Sequence, residues 1–254
     1  MPLGNETEVL EKDELTVLVH STGSSALAGL LDHPSFDKRH ACLLLRRSDL
    51  PADVLESIGG NRKWTKHEIV RLGVVVHAHT PRRIAMSLLR QLFAANLVRV
   101  ALHPSAPAEV RCIAEELVIE RVRQLSLTEK IAMARRGPVR VVGALLAEGH
   151  SDVLPAVLQS PFLTEAQVVR VLWRAGVPPH VVIAVAESSR WSSHYSVRLA
   201  LVRNPYTPIA VALRFLPNLL VTDLRDLLRN GNVPSQIREH LRREVARKSG
   251  TLRT

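Results

Sequence analysis

Aromatic residues are scarce in this chain: three Trp, two Tyr and four Phe among 254 residues. A core of ordinary size must then be built from Leu, Val, Ile and Ala, a composition that suits packed helices better than a sandwich or barrel. Cysteine is scarcer still. Cys42 and Cys112 have no paired spacing, which excludes a disulfide framework and points to a reduced cytoplasm. The N-terminus lacks the basic leader of an export signal, holding Glu6, Glu8, Glu11, Asp13 and Glu14 against Lys12. No apolar run reaches the ~18–20 residues of a membrane helix, and the best candidate, around Val211–Val221, is broken by Arg214 and Pro217. Sustained period-two alternation is missing as well, so the expectation is an all-α chain.

What is present is a repeat. Residues 26–118 align with 153–245 at a shift of 127 without a gap, and 22 of the 93 pairs are identical. Pro34/Pro161, Pro51/Pro178, Pro81/Pro208 and Pro107/Pro234 fall into register, as do Trp64/Trp191, His67/His194 and Arg71/Arg198. A fixed period identifies architecture before any motif identifies chemistry. About fifteen helices are expected, with proline marking the junctions. Pro51, Pro81, Pro107, Pro178, Pro208 and Pro234 stand where each can open a helix. Ser126–Glu129 and Thr65–Glu68 both read as capping boxes. Neighbouring short helices must stack to bury their apolar faces, which implies an α/α superhelix, or solenoid. The expected layout is an acidic N-terminal segment over 1–20, a first module over 21–125, connecting helices over 126–150, a second module over 151–248 and a tail over 249–254.

The phrase Val197-Arg198-Leu199-Ala200 through Asn204-Pro205-Tyr206-Thr207-Pro208 resembles the leucine-rich repeat variant, a bacterial helical repeat, and the wider chain is similar to HEAT-like α-solenoids. The phrase is partial at Val70-Arg71-Leu72 through Thr80-Pro81. Some members of the variant family carry an N-terminal iron–sulfur cluster, whose cysteine set is missing here. The resemblance implies a recognition surface and no reaction.

Candidate sites follow from charge and aromatic placement. The formal net charge is +10; with five acids and one base in the first 16 residues, the remainder carries +14. Arg238, Arg242, Arg243 and Arg247 sit at helical spacing near the C-terminus and would either neutralise a polyanion or form the polar outer face of a terminal repeat. Trp64, His67 and Arg71, repeated as Trp191, His194 and Arg198, would lie on one helix face. There they would stack on a base or partner, or else hold the module together. The Arg135–Arg140 turn reads as a helix end followed by Gly137-Pro138. His77-Ala78-His79 lacks further ligands for zinc. His150-Ser151-Asp152 lacks triad geometry, with Ser151 the expected N-cap. No Gly-rich phosphate loop, Cys-x-x-Cys or His-Glu-x-x-His occurs. No catalytic residue, metal, cofactor, small-molecule substrate or membrane association is expected. The leading expectation is a non-enzymatic scaffold binding another macromolecule, most simply a protein, on a concave face. The alternative is a nucleic-acid-binding solenoid, in the extreme a HEAT-like DNA glycosylase.

Overall fold

The computed structural model describes residues 15–20, 27–229, 233 and 235–250, and these form helices and turns with no strand. The acidic residues Glu6–Glu14, Pro234 and the tail from residue 251 lie outside them. The chain divides into two compact units, Met1–Arg121 and Val122–Thr254. Residues 126–150 fall within the second of these.

Unit 1 comprises α1 (residues 15–20), α2 (Leu27–Leu30), α3 (Lys38–Leu44), α4 (Ala52–Gly60), α5 (Arg62–Thr65), α6 (Glu68–Val76), α7 (Arg82–Leu89), α8 (Ala94–Ala101) and α9 (Ala108–Arg121). Unit 2 opens with a 3-10 turn (Val122–Gln124), α10 (Leu127–Arg136) and α11 (Val139–Glu148). It continues with α12 (Leu154–Leu158), α13 (Glu165–Leu172), α14 (Pro179–Glu187), α15 (Ser189–Ser192), α16 (Tyr195–Arg203), α17 (Ile209–Phe215), α18 (Val221–Arg229) and α19 (Ser235–Lys248). Every helix from α12 to α19 begins 127 residues after its counterpart among α2 to α9.

One helix is central to each unit because it is apolar on several sides. In unit 1, α6 buries Val70, Leu72, Val74 and Val75 and packs on α3, α4, α5, α7 and α8. In unit 2, α16 buries Val197, Ala200, Leu201 and Val202 against α13, α14, α15 and α17. Each buried Val or Leu contributes roughly 1.5–3 kcal/mol relative to exposure.

Proline supplies the N-cap of α4, α7, α11, α14 and α17, one position ahead of the helix proper. Its missing N–H costs nothing there. After α6, Thr80 Oγ1 donates to Val74 O at 2.5 Å; after α16, Thr207 Oγ1 donates to Leu201 O at 2.6 Å. The two Thr-Pro turns thereby close in the same way.

Three sequence expectations change. The Ser126–Glu129 capping box forms, but Thr65–Glu68 does not. Thr65 ends α5, its hydroxyl donates to Asn61 O, and α6 starts from His67 without a side-chain cap. The Trp–His–Arg set therefore spans two helices and a junction, not one helical face. Ser151 is likewise not an N-cap, since α12 starts at Leu154. The bend comes from Gly149, which ends α11 at φ +72 with its Cβ position 2.6 Å from Val181. A side chain there would be both strained and overlapping.

Candidate functional site

The residues that coincide at the 127-residue shift are taken up by the fold. Trp64 is 3% exposed and meets Phe36 edge-on with ring centroids 5.2 Å apart. Trp191 is 2% exposed and donates its indole N–H to Leu158 O at 2.8 Å. Neither indole offers a free face for stacking. Arg71 donates to Thr65 O at 2.6 Å and pairs with Glu68, while Arg198 donates to Ser193 O at 2.9 Å. Both guanidiniums thus tie the short α5 or α15 turn to the helix that follows.

The last basic residue of each terminal helix is equally committed. Arg121 donates to Leu92 O at 2.8 Å and Arg90 O at 2.9 Å. Lys248 donates to Leu219 O at 2.5 Å and Pro217 O at 2.7 Å, the same two carbonyl positions shifted by 127. On α19, Ile237 and Leu241 are buried, and the arginines face outward. Arg242 and Arg243 reach Glu239 at 3.8 and 3.2 Å, and Arg247 reaches Glu244 at 2.5 Å. Arg238 is half-buried beside Ile237. The C-terminal arginines and Arg71 and Arg198 thus hold separate local roles within their helices.

A different set of residues forms open grooves. In unit 2 the groove runs along the ends of α13 and α16. It is lined by Leu172, Trp173, Arg174, Arg203, Asn204 and Tyr206, among others, and encloses about 760 Å³. A smaller hollow of about 220 Å³ shares Trp173 and Arg203 and adds Asp223 and Asp226. Asn204 builds this site. Its Nδ2 donates to Leu172 O at 2.8 Å, fixing the α13 end, and its Oδ1 accepts the Tyr206 N–H at 2.9 Å. The result is an aromatic pair at the surface, Trp173 at 61% and Tyr206 at 47% exposure. The Arg203 guanidinium lies 5.7 Å from the Trp173 ring centroid, a cation–π arrangement that orients both.

Unit 1 has its groove at the corresponding positions. Leu45, Arg46, Arg47, Ser48, Leu72, Gly73, Val76, His77 and Ala78 line about 570 Å³ together with Cys42, Ile69, Arg99, His103 and Ser105. His77 takes the place of Asn204. Its Nε2 lies 2.7 Å from Arg47 O, and its Nδ1 accepts the His79 N–H at 3.3 Å. The scaffold is preserved while the lining differs: Arg46 stands for Trp173, Val76 for Arg203 and Arg99 for Asp226. Burial pushes the Cys42 thiol pKa upward, with Arg46 and Lys38 pulling only partly against it, so it is not a prepared nucleophile.

The candidates that the sequence offers, Trp64, Trp191, Arg71, Arg198 and the α19 arginines, line neither groove. Exposure of Trp173 and Tyr206 has no periodic signature; the nearby mark in the sequence is the Asn204-Pro205 phrase, which stands where unit 1 has His77-Ala78. Among the described residues no three His, Cys, Asp or Glu side chains gather as a metal site, and no helix is long and apolar enough to cross a membrane. Comparison with protein-family models, with curated proteins and with solved structures gives no match.

Proposed function

We propose that this chain is a non-enzymatic, internally duplicated α-helical repeat protein of the HEAT-like, leucine-rich-repeat-variant kind, and that it binds another protein through the unit 2 groove. The observation that carries this reading is the cluster of Trp173, Arg203 and Tyr206 around one hollow. Trp, Tyr and Arg are the residues that most often dominate binding energy at protein interfaces, and they do so beside pockets that exclude water. An exposed Trp already oriented by a guanidinium loses little freedom on binding. The 127-residue recurrence of helix starts and turn hydrogen bonds supports the duplication, and two free cysteines fit a cytoplasmic setting.

The test compares wild type with Trp173→Ala. A protein co-purified from the native host is isolated and titrated against both forms by calorimetry. We expect Kd to rise at least about tenfold in the variant. An equal Kd for both forms would place the interface elsewhere. Trp173 also reports directly, because the other two tryptophans are buried: occupancy should shift its fluorescence to the blue.

Nucleic acid is the second reading, favoured by exposed Arg242, Arg243 and Arg247 on α19. A DNA gel shift at low and moderate salt decides it, since phosphate neutralisation gives steep salt dependence. Absence of a shift at low salt removes this reading. Its glycosylase extension needs exposed aromatic and basic groups to grip DNA, and Trp64 and Trp191 are buried.

A further inference from the structure

The unit 1 groove carries positive charge that the protein leaves largely uncompensated. Arg47 is engaged, donating to both Asp49 oxygens and to Val19 O. Arg46 is exposed and makes no side-chain hydrogen bond or ion pair among the described residues. Arg99 reaches only a neutral amide, Asn96 Oδ1 at 3.2 Å. His103 contributes a ring whose Nδ1 is buried without a hydrogen-bond partner. No Asp or Glu lines the groove among the described residues. Beneath these groups lies an apolar floor of Leu45, Leu72 and Val76, edged by Ile69 with 54% of its surface in solvent.

We infer that this groove is a second binding site, whose occupant is an acidic peptide segment in which carboxylates flank an apolar side chain. The charge on the walls selects anions, and a guanidinium recognises a carboxylate through paired, charge-assisted hydrogen bonds. The floor selects a hydrophobe, because covering Ile69 and its neighbours removes apolar surface from water. Nucleic acid fits less well. The lining includes no Phe, Tyr or Trp on which a base can stack, and an apolar floor has nothing to offer a phosphate backbone. A free inorganic anion would leave the floor exposed. The unit 2 groove, with Trp173 and Asp226 in place of Arg46 and Arg99, is unsuited to the same ligand. The inference therefore goes beyond the unit 2 interface and stands or falls separately from it.

The probe is a short fluorescein-labelled peptide alternating glutamate and leucine, titrated with the full chain and followed by anisotropy at moderate salt. Saturable binding is expected, and it should weaken at least about tenfold in the Arg46→Gln/Arg99→Gln double variant, as loss of two charge-assisted contacts requires. Arg82→Gln/Arg83→Gln removes the same charge from exposed pairs outside the groove and should leave the affinity within about twofold. Ile69→Ser installs the unit 2 residue at that position (Ser196) and should weaken binding without any change of charge. All the substituted side chains are exposed, and far-UV circular dichroism checks that each variant folds.

The inference is overturned if the peptide fails to bind the wild type, or if the two double variants bind alike. It is also overturned if a glutamine-for-glutamate peptide binds as well, or if labelled oligothymidylate binds more tightly through Arg46 and Arg99. Self-association that sediments as a dimer and is lost in the Arg46→Gln/Arg99→Gln variant would instead make a second copy the occupant. None of these outcomes touches the Trp173 measurement, which uses a different partner and a different groove.

Discussion

Unit 1 closes the N-terminus of α8 with a carboxylate, and unit 2 closes that of α18 with a phenol. Glu68 Oε1 accepts the Phe93 N–H at 2.9 Å and the Asn96 amide at 2.9 Å. At the corresponding positions Tyr195 Oη accepts the Leu220 N–H at 3.0 Å and donates to Asp223. The backbone requirement is the same, an orphan donor at a helix start, and the partners have exchanged together: acceptor Glu with donor Asn, donor Tyr with acceptor Asp. Surface ion pairs show the same joint exchange. Arg82–Glu109 and Arg83–Glu56 in unit 1 correspond to Ile209 with Gln236 and Ala210 with Ile183 in unit 2. In each of these pairs both members change together. In the grooves the exchanged residues find partners in unit 2, Trp173 with Arg203 and Asp226 with Arg229, whereas in unit 1 Arg99 reaches only the neutral Asn96 amide and Arg46 stands beside no acid that lines the groove. Charge left uncompensated in unit 1 but not in unit 2 marks a surface that faces something else.

The comparison can be broken most severely at the shared tryptophans. Trp64→Ala and Trp191→Ala should each cost about 3–5 kcal/mol in guanidinium unfolding, because each empties a large, enclosed site. Trp173→Ala, at the surface, should stay within about 1 kcal/mol. A large loss at Trp173 would show it to be part of the core and not of an interface.

Next in size is the exchanged cap. Glu68→Ala strands the Phe93 N–H and the Asn96 amide and should cost about 2 kcal/mol. Glu68→Tyr alone should do no better, since the phenol would find Asn96 where unit 2 supplies a carboxylate. Glu68→Tyr with Asn96→Asp transplants the unit 2 solution. Its measured loss should be smaller than the sum of the single losses by at least about 1 kcal/mol, the coupling expected of residues in one network. Strict additivity would mean that the two caps are not interchangeable.

The two caps should also respond to pH in opposite directions. Burial pushes Glu68 upward, but hydrogen bonds from Asn96, the Phe93 N–H and Arg71 outweigh it, leaving its pKa below the ordinary carboxylate value. A depressed folded pKa gives stability that is present above the unfolded value of about 4.3 and lost as pH falls through the folded one. For Tyr195, burial and the bond to Asp223 raise the phenol pKa. That contribution is present below the unfolded value of about 10 and lost as pH rises through the folded one. The Phe93 amide resonance should accordingly move at the acid end of a titration and the Leu220 resonance at the alkaline end. Movement of both at the same end would refute the exchange.

Smaller again are the carbonyl clamps. Arg121→Met and Lys248→Met should each cost about 1 kcal/mol, the net worth of hydrogen bonds to partly solvated carbonyls. A difference greater than about 1 kcal/mol between them would show that one helix end depends on its clamp more than its counterpart does.

The helices and their punctuation were legible because period and proline are local signals, and the 127-residue register of helix starts follows from the same letters. Ser126 also capped as its spacing implied. Two things were not legible. Thr65 resembles a cap, yet Asn61 caps α5 first by accepting the Lys63 N–H, a competing local signal, and Trp64 is buried, which is a tertiary fact. The candidate site was hidden because exposure depends on which neighbours are missing. Trp173 and Trp191 are the same residue type 18 positions apart, yet one lies in solvent and the other under Leu158. Spacing alone cannot separate a stacking platform from a core anchor.

The smallest effect expected concerns the C-terminal arginines, where the comparison between the two units is sharpest in sign. Arg242, Arg243 and Arg247 on α19 occupy the positions of Glu115, Glu116 and Glu120 on α9. The acids that accompany them, Glu239 and Glu244, replace Cys112 and Leu117. The arginines therefore came with partners nearby, as expected of a solvated helix face. Their side chains are 65%, 69% and 59% exposed, so water and salt screen each pair, and exposed pairs contribute only about 0–1 kcal/mol. Replacing all three arginines with Gln should shift the unfolding midpoint little, by the equivalent of about 0.5 kcal/mol per pair at most. Replacing them with Glu, the residues of α9, sets new acids beside Glu239 and Glu244 on a helix that keeps them. That variant should be the less stable of the two at low salt, with the gap closing as salt is added. A gap that persists at high salt would mean that these side chains pack rather than merely pair, and would return α19 to the set of surfaces built for a partner.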